Sequence, residues 1–391
     1  MVSIFWIFFR LGLTSFGGPI AHLGYFRDEF VHRKKWLSEH SYADLVALCQ
    51  LLPGPASSQV GIAIGLGRGG LLGAFAAWLG FTLPSAIGLV LFALGIAQFV
   101  DVLGVGWLHG LKVVAVAVVA QALLAMWKAL CPDRLHSTIA AVATVVATTL
   151  PSAIGQIVVI VFGGVFGTLF LRKMSEVPHV LPSSHLSRVS GAIALTTFFG
   201  LLILLPFAAK ILQIPALQQF EVFYRVGSLV FGGGHVVLPL LQAELVPYGW
   251  VSNDVFLAGY GAAQAVPGPL FTFASYLGAI SSVKPSGWTG AGLCLVAMFL
   301  PAFLLIVGVL PFWERLRRYK RMQSAIQGIN ASVVGLLLVA FYNPVLTSGI
   351  RDSKDFSLAV VGFFLLVIWK MPPWLVVILS AISSSIIASH S

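Results

Sequence analysis

Arg10 and Arg225 sit inside apolar stretches, residues 5–18 and 220–234. A charged side chain there costs about 2.5–3.5 kcal/mol on insertion scales and is expected to face a polar cavity. The guanidinium keeps its charge at any pH, and its planar fork suits a tetrahedral oxyanion held bidentately. Seven residues separate each arginine from a glycine pair, Gly17-Gly18 and Gly232-Gly233. That is about 10 Å of helix, which puts both features on one face. The alternative is an arginine that snorkels to the headgroups. Further along stand two more breaks, Pro53-Gly54-Pro55 and Pro267-Gly268-Pro269. An interrupted helix leaves amides unpaired at a positive dipole end, so the glycine and proline turns are candidate anion cradles. The alternative there is a bend at which small residues let helices pack closely. Ser57, Ser58 and Gln59 follow the first Pro-Gly-Pro and Thr272 follows the second, all able to donate to an anion. Gln50 and Gln264 stand three residues before each Pro-Gly-Pro, where they line the same cavity or bond a neighbouring helix. His22 and His235 follow the glycine pairs and read either as a proton relay or as satisfied interfacial histidines.

These features occur twice because the chain is duplicated. Phe16-Gly17-Gly18 and Leu52-Pro53-Gly54-Pro55 return as Phe231-Gly232-Gly233 and Val266-Pro267-Gly268-Pro269, at an offset of 214 or 215 residues. Identities at the same offset include Phe8/Phe223, Arg10/Arg225, Gly12/Gly227, Glu29/Glu244, Trp36/Trp250, Ser38/Ser252 and Gln50/Gln264. Duplicated membrane halves with broken helices are the pattern of transporters.

Composition sets the solvent. The 391 residues are 58% hydrophobic and 9% charged, against roughly 25% charged in soluble domains, and mean hydropathy is +0.97. This predicts an all-α, polytopic protein of the lipid bilayer. The formal charge of +10 comes from loops such as Arg33-Lys34-Lys35 and 315–321, beside apolar spans, where basic residues orient a membrane protein; nucleic acid is excluded as a partner on that ground. The first basic residue is Arg10, so the leading apolar stretch lacks the charged start of a secretory signal and reads as mature structure. Cys49, Cys131 and Cys294 lie in apolar segments without metal-ligand spacing, and neither metal nor cofactor is expected.

The elements that must position the candidate residues follow from hydropathy. Apolar segments at 1–26, 41–67, 69–100, 110–131 and 137–172, the last interrupted at Pro151-Ser152, make a first repeat of six. Segments at 217–246, 252–281, 287–311, 323–342, 356–370 and 374–390 make the second, and a polar linker (173–190) with an extra span (191–213) lies between, for about thirteen in all. The expected organisation is a first repeat at 1–174, a linker and helix at 175–215 and a second repeat at 216–391. Basic loops fall at non-equivalent places in the two repeats, so the repeats are expected to be inverted. Both basic loops reach one side if the first two segments of each repeat are re-entrant hairpins, giving nine full spans and four hairpins. Glu29 and Glu244 are expected in loops at the membrane surface, Asp44 at a helix start after Ser41, and no embedded carboxylate pair is visible.

Phe16-Gly17-Gly18-Pro19 with His22, then Gln50-Leu51-Leu52-Pro53-Gly54-Pro55 with Ser57 and Gln59, resembles the amino-terminal signature of the chromate transporter family. Val230 to His235 with Ala265 to Pro269 resembles that family's carboxy-terminal domain, in the long two-domain form. The resemblance implies export of chromate across the bacterial inner (plasma) membrane and chromate resistance, with sulfate as a related or competing substrate. Its polar motif residues carry over to Arg10, Gly17, Gly18, Pro53, Gly54, Pro55, Ser57 and Gln59. Phe271 and Phe273 replace Ser57 and Gln59 in the second half. The competing readings are a transporter of another oxyanion, a membrane phosphatase acting on a lipid pyrophosphate, and a passive anion channel; a homodimer is the candidate assembly. The phosphatase would need an arginine clamp at the Pro-Gly turn and paired early glutamates, which this sequence lacks. No phosphate loop for a built-in ATPase is present.

Overall fold

The computed structural model describes the chain except residues 17, 104–105, 151–152, 172–186, 232–233, 314–318 and 390–391. The described residues are mostly helical, and the breaks that shape the hairpins fall at glycine and proline turns. α1 (Val2–Thr14) and α2 (Gly18–Arg27) flank the first glycine pair. Nineteen residues separate Arg10 from Glu29, which a continuous helix would place about 28 Å apart. Arg10 Nη2 is instead 2.7 Å from Glu29 Oε2, so the chain doubles back between α1 and α2.

The next pair repeats the move. α3 (Glu39–Leu51), started by the Ser38 side chain on the Ser41 amide, ends at Leu52, and α4 (Ala56–Leu103) begins after the Pro-Gly-Pro turn. Trp36 and Arg68 lie on either side of this pair, yet the Arg68 guanidinium is 4.6 Å from the Trp36 ring. The second half does the same with α9 (Pro215–Leu229) and α10 (Val237–Leu245), closed by Arg225 on Glu244, and with α11 (Asn253–Ala265) and α12 (Phe273–Ile280). There Ser282 N donates to Trp250 O at 3.0 Å. Trp250 and Ser282 are the duplicates of Trp36 and Arg68, so all four broken segments are hairpins.

Five helices are long and apolar enough to cross a membrane among the described residues: 56–95, α5 (Gly106–Leu130), α8 (Arg188–Leu212), Gly287–Phe312, which contains α13 (Gly287–Val309), and 321–349, which contains most of α14 (Lys320–Ala340). The first is not one span. Its backbone leaves the helical region at Gly69 and Gly70, and a Cβ on Gly73 would strike the Gly65 carbonyl. The arm 56–68 therefore folds back on the arm 71–103, and the second arm alone is left to span. Shorter helices complete the fold: α6 (Arg134–Thr149), α7 (Ala153–Phe170), α15 (Ser353–Val367) and α16 (Pro373–Ser389).

Packing exchanges helices between the repeats. α14 of the second repeat lies against α6 and α7 of the first, and α5 of the first lies against α11, α15 and α16 of the second. Without a hydrophobic drive between helices in lipid, small residues let backbones approach: a Cβ on Gly110 of α5 would lie 2.6 Å from Ser380 O of α16. Across the middle, Trp78 on the second arm of α4 meets Phe299 and Phe303 of α13 at 5.7 and 5.6 Å between ring centroids. α8 faces outward over most of its length, with Ile203, Phe207 and Ile211 exposed, as a lipid-facing helix must be.

Candidate functional site

The four hairpin tips meet. Gly54 N, in the first Pro-Gly-Pro, donates to Val230 O at 2.7 Å, and Gly268 N, in the second, donates to Ser15 O at 2.9 Å. Gly54 and Gly268 are duplicates, as are Ser15 and Val230, so each repeat inserts its proline turn beneath the glycine turn of the other. Both glycines have positive φ, +115° and +99°, a conformation open to glycine at little cost. Gly268 also leaves no room: a Cβ there would lie 2.9 Å from Ser85 Oγ and 3.2 Å from Phe81 O.

Around this junction the helices that leave the turns present their amino-terminal ends: α2, the 56–68 arm of α4, α10 and α12. Each end carries roughly half a positive charge. His22 is buried, with Nδ1 3.3 Å from Ser57 Oγ, a further bond to the Ser15 main chain, and its ring 5.3 Å from that of Phe81. His235 Nδ1 lies 2.8 Å from the Tyr260 hydroxyl, which Gln264 also approaches. Each histidine thus ties the first hairpin of its repeat to the second. Gln59 Nε2 donates to Pro53 O at 2.7 Å.

Three first-repeat hydroxyls are unpartnered, whereas Ser57 and Ser85 are bonded; in the second repeat Gln264 Nε2 is buried without a partner. Ser15 Oγ, Ser58 Oγ and Thr82 Oγ1 are buried without a hydrogen-bond partner, as is Gln59 Oε1. Thr272, the duplicate of Ser58, instead donates to Pro269 O at 2.7 Å, and Ser275 to Thr272 O at 2.7 Å. Ser15 and Thr82 were missed from sequence. Ser15 precedes the glycine pair by two residues, and its duplicate Val230 hides it from any search for repeated polar positions.

Other expectations are corrected. The amides of Gly54 and Gly268 do not wait for a ligand, because carbonyls of the opposite repeat hold them. Gly17, Gly232 and Gly233 lie outside the described residues, and Gly18 opens α2 at φ +78°. Gln50 is exposed and Gln264 half-buried. Glu29 and Glu244 lie in helical segments, not in loops. Both are buried, at 5% and 7% exposure, and bind the two arginines. Arg10 shares Glu29 with Arg33, whereas Arg225 is gripped by Glu244 and by Glu221. Glu221 and Glu244, 23 residues apart, thus form a carboxylate pair buried within the protein. Both guanidiniums close hairpin mouths as paired charges, about two helical turns from the tips. Asp44 is buried in the second turn of a helix that starts at Glu39.

A sequence model of the chromate transporter family matches residues 2–168 and 217–384. A chromate transport protein of Pseudomonas aeruginosa is 29% identical over 97% of this chain and 90% of its own, and a probable chromate transport protein of Synechococcus elongatus is 27% identical over 97% and 93%. An uncharacterized transporter of Bacillus subtilis is 29% identical over 42% of this chain and 92% of its own, about one repeat. No solved structure matches the chain. With both repeats matched and the two signature turns interlocked at its centre, this chain belongs to the chromate transporter family.

Proposed function

We propose that this chain is a secondary transporter for chromate or a tetrahedral dianion of the same shape, sulfate included, and that the anion sits where the four hairpin tips meet. The observation that carries this reading is the reciprocal pair of bonds, Gly54 to Val230 and Gly268 to Ser15, which joins the turns from which four helices start; buried unpartnered hydroxyls at Ser15 and Ser58 lie in or beside those turns. Irregular backbone survives at membrane depth only against protein or a polar cavity, and discontinuous helices facing an anion are a recurrent transporter device. The names of the Pseudomonas and Synechococcus relatives support chromate as cargo.

Sidedness follows from counting crossings. Four hairpins return to the side they left, the second arm of α4 and α5, α6 and α7 cross, and α8 crosses once more, so the second repeat is inverted relative to the first. On this path Arg27, Arg33, Lys34, Lys35, Arg68, Lys128, Arg134 and Arg188 share one side, and Lys112, Lys210, Lys284, Arg351 and Lys354 the other. The basic side is cytoplasmic. The membrane is the bacterial inner membrane, transport is outward, and its consequence is chromate resistance. The test is uptake of labelled chromate and sulfate by everted vesicles, with and without a pH gradient. Accumulation of either above vesicles lacking the protein is expected; no accumulation of either sinks the reading.

A further inference from the structure

The unpartnered hydroxyls near the junction lie in the first repeat, and Gln264 Nε2 is an unpartnered donor of the second. Ser15, Ser58 and Thr82 are 0%, 2% and 1% exposed, and each hydroxyl lacks a partner. A buried hydroxyl left unpaired is destabilising, and a hydrogen-bonding ligand would satisfy it. A chain of contacts joins the segments that carry Ser15 and Thr82, and Ser58 follows Ser57 at its edge. Ser15 is bonded to Gly268; Gly268 abuts Ser85 and Phe81; Ser85 Oγ bonds Thr82 O at 3.1 Å; and His22 touches Ser57, Phe81 and the Ser15 main chain. The duplicates are apolar or already satisfied: Val230 for Ser15, Phe271 and Phe273 for Ser57 and Gln59, and Thr272, self-bonded, for Ser58. Thr82 stands two residues before Pro84 in its helix, and Phe299 stands two before Pro301 in the matching one.

We infer that the cargo anion is held from one side, by the neutral hydroxyl donors Ser15, Ser58 and Thr82 of the first repeat, against an apolar wall of Val230, Phe271 and Phe299 from the second. This inference rests on the oxyanion reading above and adds the ligands. At the tips helix amino termini supply partial positive charge, while Arg10, sharing Glu29 with Arg33, and Arg225, held by Glu221 and Glu244, stand at the hairpin mouths. Neutral donors suit a carrier, since a dianion clamped by bare guanidiniums would leave slowly.

Two variants test this, Ser15→Ala and Thr82→Val, each paired with a hydroxyl-keeping partner, Ser15→Thr and Thr82→Ser. Lost hydrogen bonds to a charged ligand predict a roughly tenfold or larger rise in KM for chromate in each deletion variant, with recovery in its partner. Purified protein in detergent supplies a readout independent of flux. Chromate or sulfate is expected to raise the melting temperature of the wild type and of the hydroxyl-keeping variants but to shift the Ser15→Ala, Thr82→Val double variant little. Unchanged KM and an unchanged ligand-induced shift in the folded double variant overturn the ligand assignment. Failure of the wild type to transport or to be stabilised by either anion condemns the oxyanion reading instead.

Discussion

The two arginine clasps occupy duplicate positions and are built from opposite charge surpluses. In the first repeat, two guanidiniums, Arg10 and Arg33, share one carboxylate, Glu29, and both are about half exposed. In the second, two carboxylates, Glu221 and Glu244, share Arg225, and all three are nearly buried. Position 6, the duplicate of 221, is a tryptophan. The same division runs through the hairpin tips, where the backbone exchange is symmetric and the side chains are not. Duplication preserved what closes and joins the hairpins, and divergence set the charge of each mouth and the polarity of each wall.

The largest expected effect breaks the clasps one at a time. Arg225→Gln leaves two buried carboxylates with no guanidinium, and stranding buried charge costs about 3–5 kcal/mol. Arg10→Gln strands Glu29 less completely, because Arg33 still reaches it at 3.2 Å and water reaches the site; a loss of about 1 kcal/mol or less is expected. Thermal unfolding in detergent reads both. Equal losses would mean that the charge surplus does not decide how each mouth is held.

A smaller effect separates joining from binding. Gly54→Ala and Gly268→Ala each force a side chain into positive φ, about 1–3 kcal/mol of strain. At Gly268 the new methyl meets Ser85 and the Phe81 carbonyl, but at Gly54 it meets the end of the Gln59 side chain at 3.0 Å, which can swing away. Gly268→Ala is therefore expected to lower the melting temperature more, and Gly54→Ala to raise KM for chromate more relative to its stability loss. The reverse order would place the stiff side of the junction in the wrong repeat.

The hairpins were legible because proline and glycine act locally. Pro53-Gly54-Pro55 removes two amide donors and admits positive φ whatever surrounds it, so the sequence alone locates the break. What the break meets was not legible, since the Gly54 to Val230 bond joins residues 176 apart and an amide's partner leaves no mark on its neighbours in the chain. The same limit hid the clasps. Glu29 and Glu244 read as surface carboxylates beside charged or polar loops, and a hairpin seen from sequence does not say which residues its two legs place level. Ser15 and Thr82 stayed hidden for a different reason: attention to duplicated polar residues selects for the shared scaffold and against whatever one repeat does alone.

The smallest effect lies at an exposed pair in the loop between the first two hairpins. Arg27 reaches Glu39 with Nε 2.9 Å from Oε2 and Nη2 3.0 Å from Oε1, a bidentate contact like that of Arg225 on Glu244 but with side chains 54% and 45% exposed. The Arg27 hydrogen bond holds the Glu39 carboxyl below its ordinary value. A carboxyl depressed in the folded state contributes stability above its unfolded pKa and loses it as pH falls through the folded value. Water and salt screen both groups, so the contribution is small and shrinks further as salt is added. Glu39→Gln is therefore expected to melt slightly below the wild type near neutral pH and together with it in acid, once the wild-type carboxyl is protonated. A gap that persists undiminished in acid or in high salt would show that Glu39 acts by packing, and that the geometry shared with the buried clasp matters more than the water around it.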